Sequence, residues 1–404
     1  MELKTKYQYT YFIYPYIIDE NNYTNYMYKL LKNKKCKLKI FEQEKYPGMY
    51  NYFLPRIQEY MFWTFDLRKN RIKELQSMNV RTKAAILSKY HCNIFEYELT
   101  KDMQAKVGEK NGIFFDIEKI ELVCFNSGIC FLLLKTILPQ VSSFSDVLNF
   151  NYKFREINSE NNHLKDYENI KLQTGRFKDT KDLTEFIKEI AGNNIEAKKI
   201  NVQTDKFITY SYTCIDQSTW NEETVAKEFA KYVNIYPESK QDTDKRVDRS
   251  IELDKFTRCG FSNSSMVLLT TDVNIENYTK ILYKFENEYL YTYILNLYKK
   301  IYLKKINYEL SKKKKFELVK NKFIDFASDI WIEEVTNDDY GQIIDKKIKE
   351  ALKTEETFIK LKSKYDVLYK DYNLEKTTRS SKYILRITFL LLIINIIILV
   401  FFYN

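Results

Sequence analysis

Aromatic and polar residues alternate over 5–17, in TKYQYTYFIYPYI, and that period of two predicts a strand. The clearest β signal is a pair of apolar runs, 117–125 and 129–138, flanking Asn126-Ser127-Gly128. Two such runs around a short Asn/Ser/Gly turn predict a hairpin. The FLLL of 131–134 is apolar without alternation, so both faces of that strand should be covered. Shorter strands are predicted at 94–99, 207–215 and 265–271. Helices are predicted at 22–31, 52–65, 146–155 and 180–191. Thr219-Trp220-Asn221-Glu222 fits a capping box that opens a helix over 221–233. Residues 237–250 are charged and poor in apolar side chains, and read as a mobile loop.

After Asn274 the period changes. Residues 275–335 are helical in pattern and hold no Gly or Pro, with Lys312–Lys315 at the expected corner of a helical hairpin. From Asp338 onward no Pro occurs, and Ile344, Ile348, Ala351, Phe358, Leu361, Tyr365, Leu368 and Tyr372 recur at spacings of mostly three and four. That is a short coiled-coil-like stripe with Glu355 at one seam position. A helix of some 65 residues from there to the end would be on the order of 100 Å long. Its stripe needs partners, from 275–335, from other copies, or from both. The run 387–403, ITFLLLIINIIILVFFY, carries no charge, Gly or Pro. With Ile384 and Leu385 it makes about 20 mostly apolar residues, enough to cross a bilayer core. Lys376, Arg379, Lys382 and Arg386 precede it, which places residues before 384 in the cytoplasm.

The expected fold class is therefore α+β. A mixed sheet with covering helices (1–273) precedes a helical hairpin (274–337), a stalk helix (338–383) and one C-terminal transmembrane helix (384–404).

Composition narrows the function. The mean hydropathy of −0.47 makes the part outside the apolar run polar. The N-terminal aromatic alternation is unlike the uniform apolar core of a signal peptide. The net charge of +10 is spread along 404 residues. It suits anionic lipid or an anionic ligand, and direct nucleic-acid binding would show a more concentrated patch. Six scattered cysteines and two histidines exclude a Zn site of ordinary spacing and suggest free thiols in a reducing compartment. Walker, GxGxxG, GxSxG and HExxH patterns are all missing, so no enzyme is expected.

This order of parts resembles the CorA-like family of magnesium and metal-ion transporters. IELVCFNSGICFLLLKT with FSDVLNFNYKFREINSE, and TRCGFSNSSMVLLTTD at 257–272, are similar to the cytoplasmic domain of divergent members. Some of these are accessory membrane effectors of type III CRISPR antiviral defence. The resemblance implies a homo-oligomer, by family habit a pentamer, in a bacterial cell membrane. Its cytoplasmic domain would sense a nucleotide-type second messenger and its membrane part would act on the bilayer. Transporters of the family carry two spans and a Gly-Met-Asn motif, and this sequence has neither, which removes the expectation of magnesium selectivity. A divergent divalent-cation channel is the alternative, with metal ligands unassigned.

Candidate ligand residues are polar side chains among apolar ones. Lys153 and Arg155 lie between aromatics in NFNYKFRE. An Arg there suits a phosphate and a stacked base, or else snorkels over the core towards a carboxylate such as Glu156 of another copy. Asp216 follows a strand, where it binds a ribose hydroxyl or exocyclic amine, or satisfies turn amides. Arg258 and Asn263 flank Gly260 in a segment read as a loop that approaches a ligand or simply turns. Asn395 is the strongly polar side chain of the apolar run, suited to helix packing or a pore ring.

Overall fold

β1 (Thr5–Ile17) is the strand that its alternating rings predict, and it lies at the centre of the sheet. The computed structural model describes residues 2–99, 103–107, 113–139, 143–157, 171–174, 177–240, 249–312, 316–331 and 334–403. Two units emerge: Met1–Tyr302 with Ile332–Thr354, and Leu303–Trp331 with Glu355–Asn404.

In chain order, β1 is followed by α1 (Tyr23–Lys32), β2 (Cys36–Leu38), α2 (Pro47–Tyr52), α3 (Pro55–Met61), α4 (Lys69–Ser77) and α5 (Val80–Leu87). Next come β3 (Cys92–Tyr97), β4 (Met103–Val107), β5 (Ile113–Phe125), β6 (Ile129–Ile137) and α6 (Phe144–Phe154). The sheet unit continues through β7 (Lys171–Thr174), β8 (Phe177–Asp182), α7 (Leu183–Ala191), α8 (Ile195–Lys199), β9 (Ile208–Ile215) and α9 (Glu222–Asn234). β10 (Ser250–Asp254), β11 (Thr257–Phe261) and β12 (Ser265–Thr271) complete the strands. The remaining helices are α10 (Lys280–Lys284), α11 (Leu290–Ser311), α12 (Phe316–Asp325), α13 (Asp339–Leu352) and α14 (Thr354–Tyr403).

Among the described residues these strands form one sheet, ordered β10-β11-β12-β9-β1-β6-β5-β4-β7-β8, with β3 beside β5 and β2 beside β3. β9 and β12 run parallel, and every other described pairing is antiparallel. β5 and β6 are the predicted hairpin, and Gly128 takes the turn at φ +81°. A Cβ at Gly128 would lie 2.0 Å from the Ile18 carbonyl oxygen, so only glycine fits.

Both faces of the sheet are covered. On one, Phe12 meets Phe150 and Phe154 of α6 at ring distances of 5.5 and 4.4 Å. On the other, Tyr210 stacks on Phe285 at 4.2 Å, and Phe125 stacks on Tyr298 of α11 at 3.7 Å. This is why β1 and β6 are buried on consecutive residues. α6 opens with a capping box of Ser143 and Asp146, satisfying two backbone N–H groups that no helical carbonyl reaches.

Several elements differ from the sequence reading. The helix expected over 52–65 is instead α2, α3 and the 3-10 turn Trp63–Asp66, because Pro55 removes a donor and restarts the chain at a first helical position. Residues 180–182 belong to β8 rather than to the start of α7. Thr219 does not cap α9: it lies in a 3-10 turn, and Asn221 accepts from the Thr224 N–H at 3.0 Å. Most of the loop expected over 237–250 lies outside the described residues. A single helix from 338 onward is not formed. Lys353 adopts a left-handed φ of 55° and closes α13 before α14 begins.

In the second unit the stripe of α14 finds partners in its own chain. Phe323 lies 4.6 Å from Tyr365, Phe316 5.1 Å from Tyr372, and Trp331 stacks on Phe358 at 4.3 Å. Lys364 donates to Asn307 Oδ1 at 2.8 Å and Ser311 Oγ at 2.9 Å. α14 is the one described helix long and apolar enough to cross a membrane.

Candidate functional site

β9 and β12, the parallel pair, end side by side: Thr271 is in register with Ile215. Each is followed at once by an aspartate, Asp216 and Asp272. The carboxyl ends of parallel strands are where open sheets with covering helices leave ligand crevices. Here Lys6, from the start of β1, reaches both carboxylates, with its Nζ 3.1 Å from Asp216 Oδ2 and 3.7 Å from Asp272 Oδ2.

The two carboxylates are not equally occupied. Asp216 Oδ1 accepts from the Ser218 N–H at 2.9 Å and the Ser218 hydroxyl at 2.6 Å, capping the 3-10 turn Gln217–Thr219. Those bonds, with Lys6, hold its carboxyl at about 2, and the Asp216 carboxylate in turn raises Lys6. Asp272 Oδ1 accepts from the Gln217 N–H at 2.9 Å. Its Oδ2 stands beyond hydrogen-bond distance of Lys6 and keeps room for a further donor.

A cleft of about 390 Å³ opens here, lined by Lys6, Tyr7, Cys214, Asp272, Tyr278 and Leu282. Tyr7 and Tyr278 are partly exposed and offer ring surface. Behind Tyr7, the fully buried Tyr9 stacks on Tyr212 at 5.4 Å, and its hydroxyl has no hydrogen-bond partner. Burial raises the Tyr9 phenol well above its ordinary range, so it stays neutral.

The other sequence candidates are dispersed. Lys153 stands half-buried in the last turn of α6. Arg155 ends that helix, and its carboxylate neighbour at 3.9 Å is Glu156 of the same chain, which Lys206 also pairs at 2.6 Å. Arg258 is not in a loop. It belongs to β11, pairs with Glu222 and with Glu252 (3.2 Å), and lies over the Trp220 ring at 5.5 Å. Gly260 is likewise a strand residue, where a Cβ would come within 2.2 Å of Val233 Cγ2, so it permits α9 to pack closely. Asn263 lies in the turn between β11 and β12, exposed, and accepts from Lys300. Asn395 is exposed in α14.

None of these candidates therefore lines the cleft, and Asp216 alone stands beside it, paired with the lining residue Lys6 at 3.1 Å. Lys6, Tyr7, Asp272 and Tyr278 were not singled out from the sequence. The signal was present for Asp272: SYTCID and SMVLLTTD both end a buried strand on aspartate. Among the described residues no group of three or more His, Cys, Asp or Glu side chains is placed to hold a metal ion. All six cysteines are buried and unpaired with one another. No protein-family model, curated protein or solved structure matches this chain.

Proposed function

We propose that this chain is a membrane-anchored effector of antiviral defence. Its sheet unit binds a nucleotide-type second messenger, and several copies together open or disrupt a bacterial cell membrane. The sheet unit lies in the cytoplasm, and the 384–404 segment is the single membrane pass. The family resemblance supplies the expectation of five copies.

The observation that carries this reading is α14. Its residues from Leu374 to Val400 are exposed on every side, although most of the last seventeen are apolar. Such a surface is unstable in water and stable in hydrocarbon. The stripe expected to pack copies together is engaged within the chain. Ile359, Val367 and Leu374, at 64%, 60% and 67% exposure, are left on another side of the helix. At about 100° per residue, Thr388 and Asn395 turn to that same side. An amide in hydrocarbon needs a polar partner, and a parallel copy presents the same amide at the same depth. A single span encloses no path for ions, so permeation requires that assembly.

The test uses full-length protein in detergent and in liposomes. An oligomeric particle, with ion release that begins on adding a nucleotide, is the expected result. Release set off by divalent cations alone would favour the metal-ion channel instead. A monomeric particle would remove both mechanisms.

A further inference from the structure

We infer that the cleft beside Asp272 takes the nucleoside part of a ligand, a ribose diol with its base, and leaves any phosphate outside. This rests on the ligand-binding reading above and makes it specific. One ammonium, Lys6, faces two carboxylates, Asp216 and Asp272, so the cluster is negative on balance. A phosphate would meet that negative charge at close range in a partly desolvated site. Hydroxyl groups meet the opposite situation. Asp272 Oδ2 is an acceptor with unused capacity, and in dinucleotide-binding sheets an acidic side chain accepts from the ribose hydroxyl in the same way.

The walls fit the rest of a nucleoside. Tyr7 and Tyr278 present rings at the mouth, and Cys214 and Leu282 complete an apolar lining. A base stacks on such rings whatever its hydrogen-bonding edge. The volume of about 390 Å³ lies within the range of small-molecule pockets. Lys6 stays bound to its two carboxylates, and its remaining donor capacity orients a sugar oxygen.

The experiment measures binding of the four ribonucleosides, their 5′-monophosphates, adenosine's 2′-deoxy analogue and inorganic phosphate to the full chain in detergent. At least one ribonucleoside should bind about as tightly as its monophosphate, and inorganic phosphate should not compete. Loss of the 2′-hydroxyl should weaken adenosine, if adenosine binds, by about tenfold. Asp272→Asn should weaken the bound nucleoside by a similar factor. Tyr278→Ala, a change at a half-exposed ring, tests the same site should the aspartate variant unfold. Monophosphates that bind more than tenfold tighter than their nucleosides would overturn the inference. So would nucleotide binding indifferent to both substitutions, and in either case the broader ligand-binding reading would survive. If no nucleoside and no nucleotide binds, both fall.

Discussion

In the sheet unit Tyr9, Tyr11, Phe12 and Ile13 are consecutive or nearly so, and none is exposed. In the helical unit Ile359, Val367 and Leu374 share a helix with the buried Leu361, yet each is at least 60% exposed. The difference follows from what each element packs against. A strand with helices on both faces of its sheet hides side chains on consecutive positions. A long helix packed along one side only hides one stripe. α14 therefore holds a long stretch of apolar surface with no described cover. That surface runs from the side that carries Ile359, Val367 and Leu374 into the apolar stretch up to Val400.

The largest effect expected is on location. Removing 384–404 should move the protein from the membrane fraction to the supernatant after a high-salt wash. A truncated chain that still pellets would place the anchor elsewhere and erase the contrast between the units.

Within the sheet unit, the sharpest sensitivity lies at Glu121. It is 1% exposed and paired with Lys39 at 2.7 Å and Lys119 at 3.0 Å. Glu121→Ala leaves two ammonium groups without their buried partner and should cost about 3–5 kcal/mol in urea unfolding. Burial opposes the charge on Glu121, but the two lysines outweigh it and hold the carboxyl at about 2. Its folded pKa is depressed, so its contribution is present above the ordinary value of 4.5 and is lost as pH falls towards 2. Wild-type stability that does not fall over that window faster than the variant's would contradict this account.

Leu361 and Leu374 divide the helical unit. Leu361 is 3% exposed, so Leu361→Asp buries a charge without a partner and should destabilise the unit by about 3 kcal/mol in thermal unfolding. Leu374→Asp should change folding by no more than about 0.5 kcal/mol. Its effect should show instead as a smaller particle in detergent. Equal unfolding penalties at the two positions would mean that both faces of α14 are covered within one chain.

A further test within the sheet unit concerns Glu288, in the π-helical turn Phe285–Tyr289. Burial raises its carboxyl to about 7, Asp338 adds to the rise, and Lys284 opposes it. A raised carboxyl favours the fold below its unfolded value, and that stability is lost as pH rises from about 4.5 through 7. Glu288→Gln should flatten this dependence and be more stable than wild type at pH 8, by ~2 kcal/mol. A wild type whose stability is level from pH 5 to 8 would show the carboxylate to be well solvated.

Much of the architecture was legible because burial leaves periodic traces. The β1 alternation, the β5–β6 hairpin and the strand Ser265–Thr271 follow from apolar spacing and one turn. The breaks were harder to read. Lys353 takes a left-handed conformation that a lysine advertises poorly, and Pro55 restarts the chain inside an apolar stretch whose pattern continues across it. Of the cleft and its surroundings, only the neighbouring Asp216 was legible. Lys6 lies 210 positions away in the sequence and Asp272 another 56, and nothing local links three such residues.

By itself, then, the sequence determined the strongest elements, β1, the β5–β6 hairpin, β9 and β12 among them, and that 387–403 is apolar enough for hydrocarbon, since local pattern and transfer free energy do not depend on distant residues. Tertiary structure alone decided that β9 and β12 run parallel with their aspartates together, and that Arg258 pairs with glutamates within a strand. It also decided that the α14 stripe is covered by Phe316, Phe323 and Trp331 of the same chain. Those outcomes rest on contacts between residues far apart in the chain, and such contacts are chosen by how the elements pack.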